Sequence, residues 1–343
     1  MTSRPRIVIA LLVVAWFAIA GGSLWIGTTG VSIETYWTKS AGAPDRWRAL
    51  WQDMRQLPLP RLAMGTLAGA SLAIAGAMFQ ALFRNPLAAP STLGVSSAAS
   101  LGATITILLG GGGLLYGISK VSLSAFAAAL ICVGIVYLIA SVRRGQPITT
   151  LLLAGITIGF ICSALIVVVM FLATQHDLGQ ILRWMMGSLE VVDFDVVYES
   201  LAMASLGLGA AIYLHRDLDL LMMGEEIAAS RGVSVKRSRR LIYFAASLLT
   251  AAVVAHCGPI GFVGLIIPHV VRYFVGPTHR AMLPACALAG ATFLPLCDTI
   301  ARNAMYWYRA EARQVPVGVL TNLIGGAFFL YILLSRRRTQ HLG

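Results

Sequence analysis

Charged residues are scarce in this sequence. Asp, Glu, Lys and Arg make up only 12% of its 343 residues, whereas 58% are hydrophobic, and an ordinary soluble domain is about 25% charged. This shortage excludes a typical soluble enzyme and indicates a membrane protein. Uncharged stretches long enough to cross a hydrocarbon core, which takes about 20 helical residues, recur along the whole chain.

Alternation of polar and apolar residues is also missing, and this decides the fold class. Backbone groups in lipid must be satisfied within a helix or by closing a barrel, and barrel strands alternate. We therefore predict an all-α, polytopic membrane protein that forms a single transmembrane domain over residues 1–343. Ten segments are predicted, at 7–27, 62–83, 97–117, 121–142, 148–173, 200–215, 241–257, 260–269, 281–297 and 314–335.

Two of these segments are too short to cross a membrane. The segment at 200–215 requires an extra turn, and the one at 260–269 is predicted to be a half-helix packed inside protein. With ten spans both termini lie on one side, and the densest basic clusters, 235–240 and 336–338, mark that side as cytoplasmic. The net charge of +12 then reflects topology and attraction to anionic membrane lipid, and nucleic-acid binding is not expected.

A nucleotide-binding motif is absent. The phosphate-binding loop requires lysine directly after glycine, and none of the lysines, Lys39, Lys120 and Lys236, follows one. Any ATP-driven motor must therefore be a separate polypeptide. The five cysteines show no paired spacing, so neither a disulfide framework nor a metal site is predicted.

Acidic residues within the apolar segments are almost absent too. All but Asp298, which adjoins the segment at 281–297, fall in loops or at segment ends, and this disfavours an ion-coupled carrier, because such carriers usually need intramembrane ionisable groups. An intramembrane enzyme is disfavoured because the sequence contains no plausible set of catalytic residues, such as the metalloprotease motif H-E-x-x-H. No catalytic residue is assigned.

The largest predicted cytoplasmic loop, 216–240, contains the stretch "LMMGEEIAASRG". It predicts a short helix whose first turn carries acidic residues that complement the helix dipole and whose end is a glycine that permits a left-handed cap. Two alanines in it leave room for a partner surface to approach. The candidate residues are Gly224, Glu225, Glu226, Ala228, Ala229 and Gly232.

Two apolar stretches are broken by proline and glycine, which lack a backbone donor or a side chain. Broken helices at membrane depth are tolerated only against protein or a water-filled cavity. We interpret both stretches as connections near the cytoplasmic motor that transmit its closure into the bundle. They are "RNPLAAPSTLG", with Asn85, Pro86 and Pro90, and "HCGPIGFVGLIIPH", with Gly258, Pro259, Gly261 and Pro268.

Several stretches resemble the FecCD family, the permeases of type II ABC importers for ferric siderophores, haem and cobalamin. They include "LPRLAMGTLAGASLAIAGAMFQALFRNPLAAPSTLGVSSAASLGA" at 59–103, "DLGQILRWMMGSLE" at 177–190 and "GPIGFVGLIIPHVVRYFVGPTHRAMLPACALAGATF" at 258–293. The loop helix at 224–232 is similar to the helix with which such permeases contact their ATP-binding subunit.

The resemblance implies ten helices per subunit and a homodimer with the pathway along its two-fold axis. It also implies two cytoplasmic ATP-binding subunits that hold ATP and Mg, and a periplasmic substrate-binding protein. No cofactor or metal is assigned to this chain itself. The expected cargo is an iron chelate, haem or a ferric siderophore, with cobalamin as the alternative and an ion-coupled secondary transporter as a less favoured one.

Further site residues follow only from the resemblance. Basic residues at outer positions, Arg61 and Arg302 with Arg55 as a substitute, are implied to dock the binding protein, although Gln314 departs from the usual glutamate. The loop in which relatives narrow the exit gives a second set. These exit-gate candidates are His176, Asp177, Met185 and Met186.

Overall fold

The computed structural model describes residues 3–26, 58–111, 113–115, 118–142, 148–191, 193–309 and 314–340. These residues form a helical bundle with one two-stranded hairpin. The helices are α1 Ser3–Trp25, α2 Pro58–Phe83, α3 Val95–Leu108, α4 Lys120–Val142, α5 Ile148–Leu172, α6 Gln175–Met185, α7 Phe194–Tyr213, α8 His215–Met223, α9 Glu225–Ser230, α10 Val235–Cys257, α11 Val263–Val275, α12 His279–Arg309 and α13 Val317–Gln340, with a 3-10 turn at Pro90–Leu93.

The all-α prediction is confirmed. In the described part of the chain, seven helices are long and apolar enough to cross a membrane, and three shorter apolar helices, α3, α11 and the first two-thirds of α13, accompany them. The centre of the bundle is formed by α2 and α10, since 72% of the apolar window of each is buried, against 11% for α1. Each predicted segment corresponds to one of these ten helices.

Several predicted bounds differ from those of the helices, and α12, for example, extends to Arg309, beyond the predicted 281–297. The segment at 200–215 is extended as expected, since the full span α7 begins at Phe194. The segment at 97–117 is not continuous, because α3 ends at Leu108. Four successive glycines at 110–113 are poor helix formers, and beyond them Leu114–Leu115 pairs antiparallel with Ile118–Ser119.

A short helix is present as predicted, but its bounds differ from the predicted ones. The helix α11 covers Val263–Val275 rather than 260–269, and Phe262 precedes it in the left-handed conformation, with φ 63°. Pro268, which was assigned to the broken stretch, lies inside α11, and the helix continues through it. Its side chain is buried, and the loss of one backbone hydrogen bond is accommodated within the helix.

The contacts between the antiparallel helices α7 and α10 define two ends of the bundle. Glu199 and His256 join the two helices at one end, with a distance of 3.2 Å between Oε2 and Nε2. At the other end Ser238 of α10 donates to Asp217, just beyond α7. We call these the α6 end and the α9 end, after the short helices found there.

The crossing of α2 and α12 depends on small residues. A Cβ placed on Gly69 would lie 2.0 Å from the carbonyl oxygen of Gly290, so the two backbones are in direct contact. Close backbone approach of this kind is a common basis of helix association in membranes, where lipid supplies no hydrophobic driving force.

Candidate functional site

The predicted loop helix is a pair of short helices, α8 and α9, joined at Gly224, whose φ is 132°. Gly232 follows α9 with φ 83°, so the predicted left-handed glycine after the helix is present. The two alanines differ. Ala228 is fully buried, whereas Ala229 is exposed beside Ile227, which is 45% exposed. Only Ala229 is therefore available to a partner surface, and the expectation for Ala228 is corrected.

Glu225 fastens α9 to the bundle. Its carboxylate forms an ion pair with Arg239 of α10 and lies 3.9 Å from Nη2 of Arg84. Arg84, just after α2, also donates from Nε to the carbonyl oxygen of Leu221 in α8 at 2.8 Å. It has φ 48°, an uncommon conformation for a non-glycine residue. The central helices α2 and α10 thus both contact the α8–α9 pair.

The connection after Arg84 starts at the surface and then enters the bundle. Asn85 accepts a hydrogen bond from the Leu87 backbone N–H at 2.9 Å, and Pro86 is exposed. Pro90, in contrast, is buried and packs near Gly264, where a Cβ would lie 3.0 Å from Pro90 Cδ. The predicted irregular connection is present beside Arg84, with Asn85 and Pro86 at the surface and Pro90 inside the bundle.

The break at 258–262 lies at the α6 end, not beside α9 as predicted. Gly258 ends α10 with φ 68°. The Cys257 carbonyl oxygen accepts from the Ser188 N–H at 2.8 Å. A Cβ on Gly187, just after α6, would lie 2.3 Å from the Pro259 carbonyl oxygen. The full length of α10, about 34 Å at 1.5 Å per residue, separates this break from α9.

The residues after this break contact α13. A Cβ on Gly261 would lie 2.3 Å from Oδ1 of Asn322. The ring of Phe262 covers Gly325, where a Cβ would lie 2.0 Å from the Phe262 Cγ, and it packs 6.1 Å from the Phe329 ring, centroid to centroid. Phe262 has the left-handed backbone conformation although it is not glycine. The contact of its ring with Gly325 of α13 therefore holds it in place.

The four exit-gate candidates lie on or just after α6. Thr174 caps this helix by accepting from the Asp177 N–H at 3.3 Å, and His176 is exposed, with Nε2 2.7 Å from the Gln180 amide. Met185 is partly buried, whereas Met186 is 43% exposed. The end of α6 adjoins the 258–262 break, so these candidates and that break share one end of the bundle.

The two described docking candidates are bonded within the chain. Arg61 pairs with Asp298 and also donates to Oε1 of Gln314 at 2.8 Å. Arg302 is 8% exposed and donates to the Ser23 carbonyl oxygen at 2.6 Å. Arg55 lies outside the described residues. The docking role of these arginines stays a prediction.

Besides the two Glu225 ion pairs, sequence reasoning missed three pairs of ionisable side chains, because their members are far apart in the chain. They are Arg61 with Asp298, Glu199 with His256, and Asp219 with His279. Within the described ranges, no three His, Cys, Asp or Glu side chains lie close enough together to hold a metal ion.

Ten apolar helices with a short helix pair fastened to the two central ones define a multi-pass membrane protein of the permease class. The model of the FecCD transport family matches residues 7–335. The chain belongs to this family, and it is a permease of the type II ABC importer class.

Relatives and a solved structure agree with this assignment. The cobalamin import system permease protein BtuC of Halobacterium salinarum is 41% identical over 297 residues, which cover 86% of this chain and 76% of that protein. The hemin transport system permease protein HmuU of Yersinia pestis is 34% identical over 343 residues, covering 99% and 98%. An inward-facing structure described as a metal-chelate type ABC transporter matches with a TM-score of 0.83 at 30% identity, covering 96% of this chain and 99% of that one.

Proposed function

We propose that this chain is the permease subunit of an ATP-driven importer of the cell inner membrane, with both termini and the α9 end in the cytoplasm. The observation that carries the proposal is the attachment of α9. Glu225 ties it to α10 through Arg239 and to the end of α2 through Arg84. A force applied to α9 therefore reaches the two most buried helices of the bundle.

The motor is a pair of ATP-binding subunits, each of which binds ATP and Mg and docks on the α8–α9 pair of one permease copy. Exposed Glu226, Ile227 and Ala229 form the contact surface. A second copy of this chain completes the pathway. Apolar side chains on α5, such as Phe160 at 73% and Phe171 at 88% exposure, are suited to face lipid or that copy.

Transport is a rigid-body change between inward and outward access, and this chain makes or breaks no covalent bond. Closure of the ATP-binding subunits moves the two α9 helices. The displacement passes along α10 to the 258–262 break and to α6 at the periplasmic side. There, His176, Asp177, Met185 and Met186 narrow the exit, and Arg61 and Arg302 support docking of a periplasmic binding protein.

The proposed cargo is an iron chelate, haem or a ferric siderophore. Support comes from the hemin permease relative, which aligns over nearly the whole of both chains, and from the metal-chelate type neighbour. Cobalamin is the second candidate, favoured by the higher identity of the cobalamin permease relative. All of these cargoes are large metal chelates, and the binding protein is the subunit expected to choose among them.

Reconstitution tests the proposal. The permease, its ATPase and its binding protein are placed in proteoliposomes, and ATP-dependent accumulation of haem, a ferric siderophore and cobalamin is measured. Accumulation of an iron chelate that requires all three components supports it, and accumulation of cobalamin alone moves the assignment to the second candidate. Accumulation by the permease without the ATPase, driven by an ion gradient, refutes it.

A further inference from the structure

An apolar groove of about 500 Å³ lies between α7 and α12, with Ile74 of α2 at its floor. We call it the α7–α12 groove. Its walls are Leu208, Ala211, Ile212, Leu283, Pro284 and Ala287. It opens beside Ile212, which is 74% exposed, so it belongs to the outer surface of the bundle at a depth where that surface is apolar.

The groove is polar at one end only. His215, His279 and Arg280 line it at the α9 end, and Arg280 is exposed. From Arg280 to Ala287 the helix α12 rises by about 10 Å. The groove therefore combines a basic mouth at one membrane boundary with an apolar channel that runs from it toward the middle of the bundle.

One buried polar atom at this mouth has no hydrogen-bond partner among the described residues. Asp219 of α8 accepts from the backbone N–H of His279 and is paired with its Nδ1, both at 2.7 Å. The opposite ring atom, Nε2, is buried without a hydrogen bond, and the His279 side chain is 0% exposed. An unsatisfied buried polar atom is costly, but this ring atom is closed off from the groove in the structure, so a ligand reaches it only after neighbouring side chains move.

We infer that the α7–α12 groove binds an anionic phospholipid from the leaflet at the α9 end. The acyl chain lies along Leu208, Leu283 and Ala287, and the phosphate pairs with Arg280 at the mouth. Basic pockets between membrane helices are known to select anionic headgroups in this way. Pro284 also leaves the Arg280 carbonyl oxygen without its helical donor, which adds an acceptor for a headgroup hydroxyl.

The shape of the groove favours a lipid over a soluble anion. A free phosphate would use the basic mouth and leave the apolar walls uncovered, whereas a phospholipid satisfies both. The lipid also contacts two elements, because His215 belongs to α8 and Arg280 to α12, and both line the groove. A bound lipid therefore adds to the contacts that hold α8 against the bundle.

Native mass spectrometry of the delipidated, detergent-purified chain tests this inference with phosphatidylglycerol and phosphatidylcholine of identical acyl chains. One phosphatidylglycerol is expected to remain bound where phosphatidylcholine does not. Arg280→Gln should weaken its binding about five-fold, the usual effect of one basic residue near a lipid surface. Lys236→Gln, which removes an exposed charge at the same end, is the matched control and should change it less than two-fold, since it lies outside the groove.

A groove-filling variant separates the acyl chain from the headgroup. Ile212→Trp changes an exposed position, so folding is retained, and it should displace the bound lipid. Equal weakening by Arg280→Gln and Lys236→Gln would show general surface attraction and overturn the inference. Competition by glycerol phosphate or inorganic phosphate at concentrations matching the lipid would assign the site to a soluble anion, and displacement by haem or cobalamin would assign it to cargo. Either result rejects a lipid site.

Discussion

Arg61 and Asp298 are joined by two parallel hydrogen bonds of 2.8 Å each, from Nε to Oδ2 and from Nη2 to Oδ1. The pair ties α2 to α12 near the α6 end, and the two side chains are only 11% and 6% exposed. A bidentate, nearly buried arginine is largely committed to its own chain. Any docking role for Arg61 must therefore compete with the structural one.

We expect Arg61→Gln to destabilise the permease strongly. Removing one partner of a buried pair leaves the other charge uncompensated, which costs about 3–5 kcal/mol. Thermal unfolding of the purified protein in detergent measures this loss. The double variant Arg61→Gln with Asp298→Asn should recover most of it, because neither member of the pair then carries a charge.

Arg216→Gln, at an exposed position, is the control and should have little effect on unfolding. If Arg61→Gln keeps the unfolding temperature but weakens association with the periplasmic binding protein, Arg61 is a docking residue and the structural explanation fails.

The two alanines of α9 should respond differently to a bulky side chain. Ala229→Trp, on the exposed face, is expected to block docking of the ATP-binding subunit while the permease stays folded. Ala228→Trp should instead destabilise the permease, by about 1–3 kcal/mol or more, because it overpacks a filled site. Copurification with the ATPase and thermal unfolding, measured on both variants, distinguish the effects. Similar behaviour of the two variants would contradict the exposure pattern of α9.

Glu225 should act by positioning α9. Ion pairs that are partly exposed contribute about 0.2–1 kcal/mol, so Glu225→Gln is expected to weaken ATPase binding two- to five-fold with little change in unfolding temperature. Arg239→Gln should have a similar or smaller effect, because Arg84 still contacts Glu225, and adding it to Glu225→Gln should change nothing further. Glu226, which is exposed and has no hydrogen bond or ion pair within the described residues, gives the comparison. The losses of ATPase binding caused by Glu226→Gln and by Arg239→Gln should add in the double variant, because these two side chains do not contact each other. A double variant that binds the ATPase no more weakly than Arg239→Gln alone would argue against the Glu225–Arg239 contact.

The sequence predicts those features of the fold that depend on composition and on local residue patterns. Ten apolar helices, the glycine after α9 and the half-helix near 263 all follow from runs of apolar residues and from the backbone preferences of glycine and proline. The position of the 258–262 break already follows from the predicted topology, because the span at 241–257 begins at the cytoplasmic loop 216–240 and must end on the other side. The expectation that the break lies near the motor contradicted that topology. The burial of Pro90 depends on its contact with Gly264, about half the chain away.

The charged contacts were beyond prediction for the same reason. Glu225, Arg84 and Arg239 belong to three elements, and no single-sequence pattern pairs them. Asp298 was recognised as unusual, but its partner Arg61 was assigned to docking. The surface loop was predicted more accurately than the core contacts because glycine and acidic residues mark a helix terminus locally.

The α2–α12 crossing should not tolerate a single methyl group. Gly69→Ala places a Cβ 2.0 Å from the Gly290 carbonyl oxygen, so the helices must separate, at a cost of about 1–3 kcal/mol. Gly209→Ala, where no atom lies within 4 Å of the added Cβ, is the matched control and should be neutral or slightly stabilising, because alanine is the better helix former. Thermal unfolding measures both. Equal effects would mean that the backbones do not meet at Gly69.

The contact between Phe262 and Gly325 should be essential for the start of α11. A non-glycine residue in the left-handed region costs about 1–2 kcal/mol, and Phe262 is held there while its ring covers Gly325. Gly325→Ala puts a Cβ where the ring lies, so Phe262 must leave and the N-terminus of α11 must shift. We expect a loss of about 1–3 kcal/mol in stability and a larger loss of ATP-driven uptake, because the break joins α10 to the pathway.

Gly326→Ala provides the control at the next position, since no atom lies within 4 Å of its added Cβ, and it should behave as the unmodified chain. Phe262→Gly with Gly325→Ala should recover stability relative to Gly325→Ala alone, because glycine adopts φ 63° without strain and the alanine occupies part of the vacated space. Thermal unfolding and uptake in proteoliposomes are measured on all four proteins. Equal stability of Gly325→Ala and Gly326→Ala would show that the ring does not depend on Gly325, and the start of α11 would then be fixed by the Gly258–Gly187 contact instead.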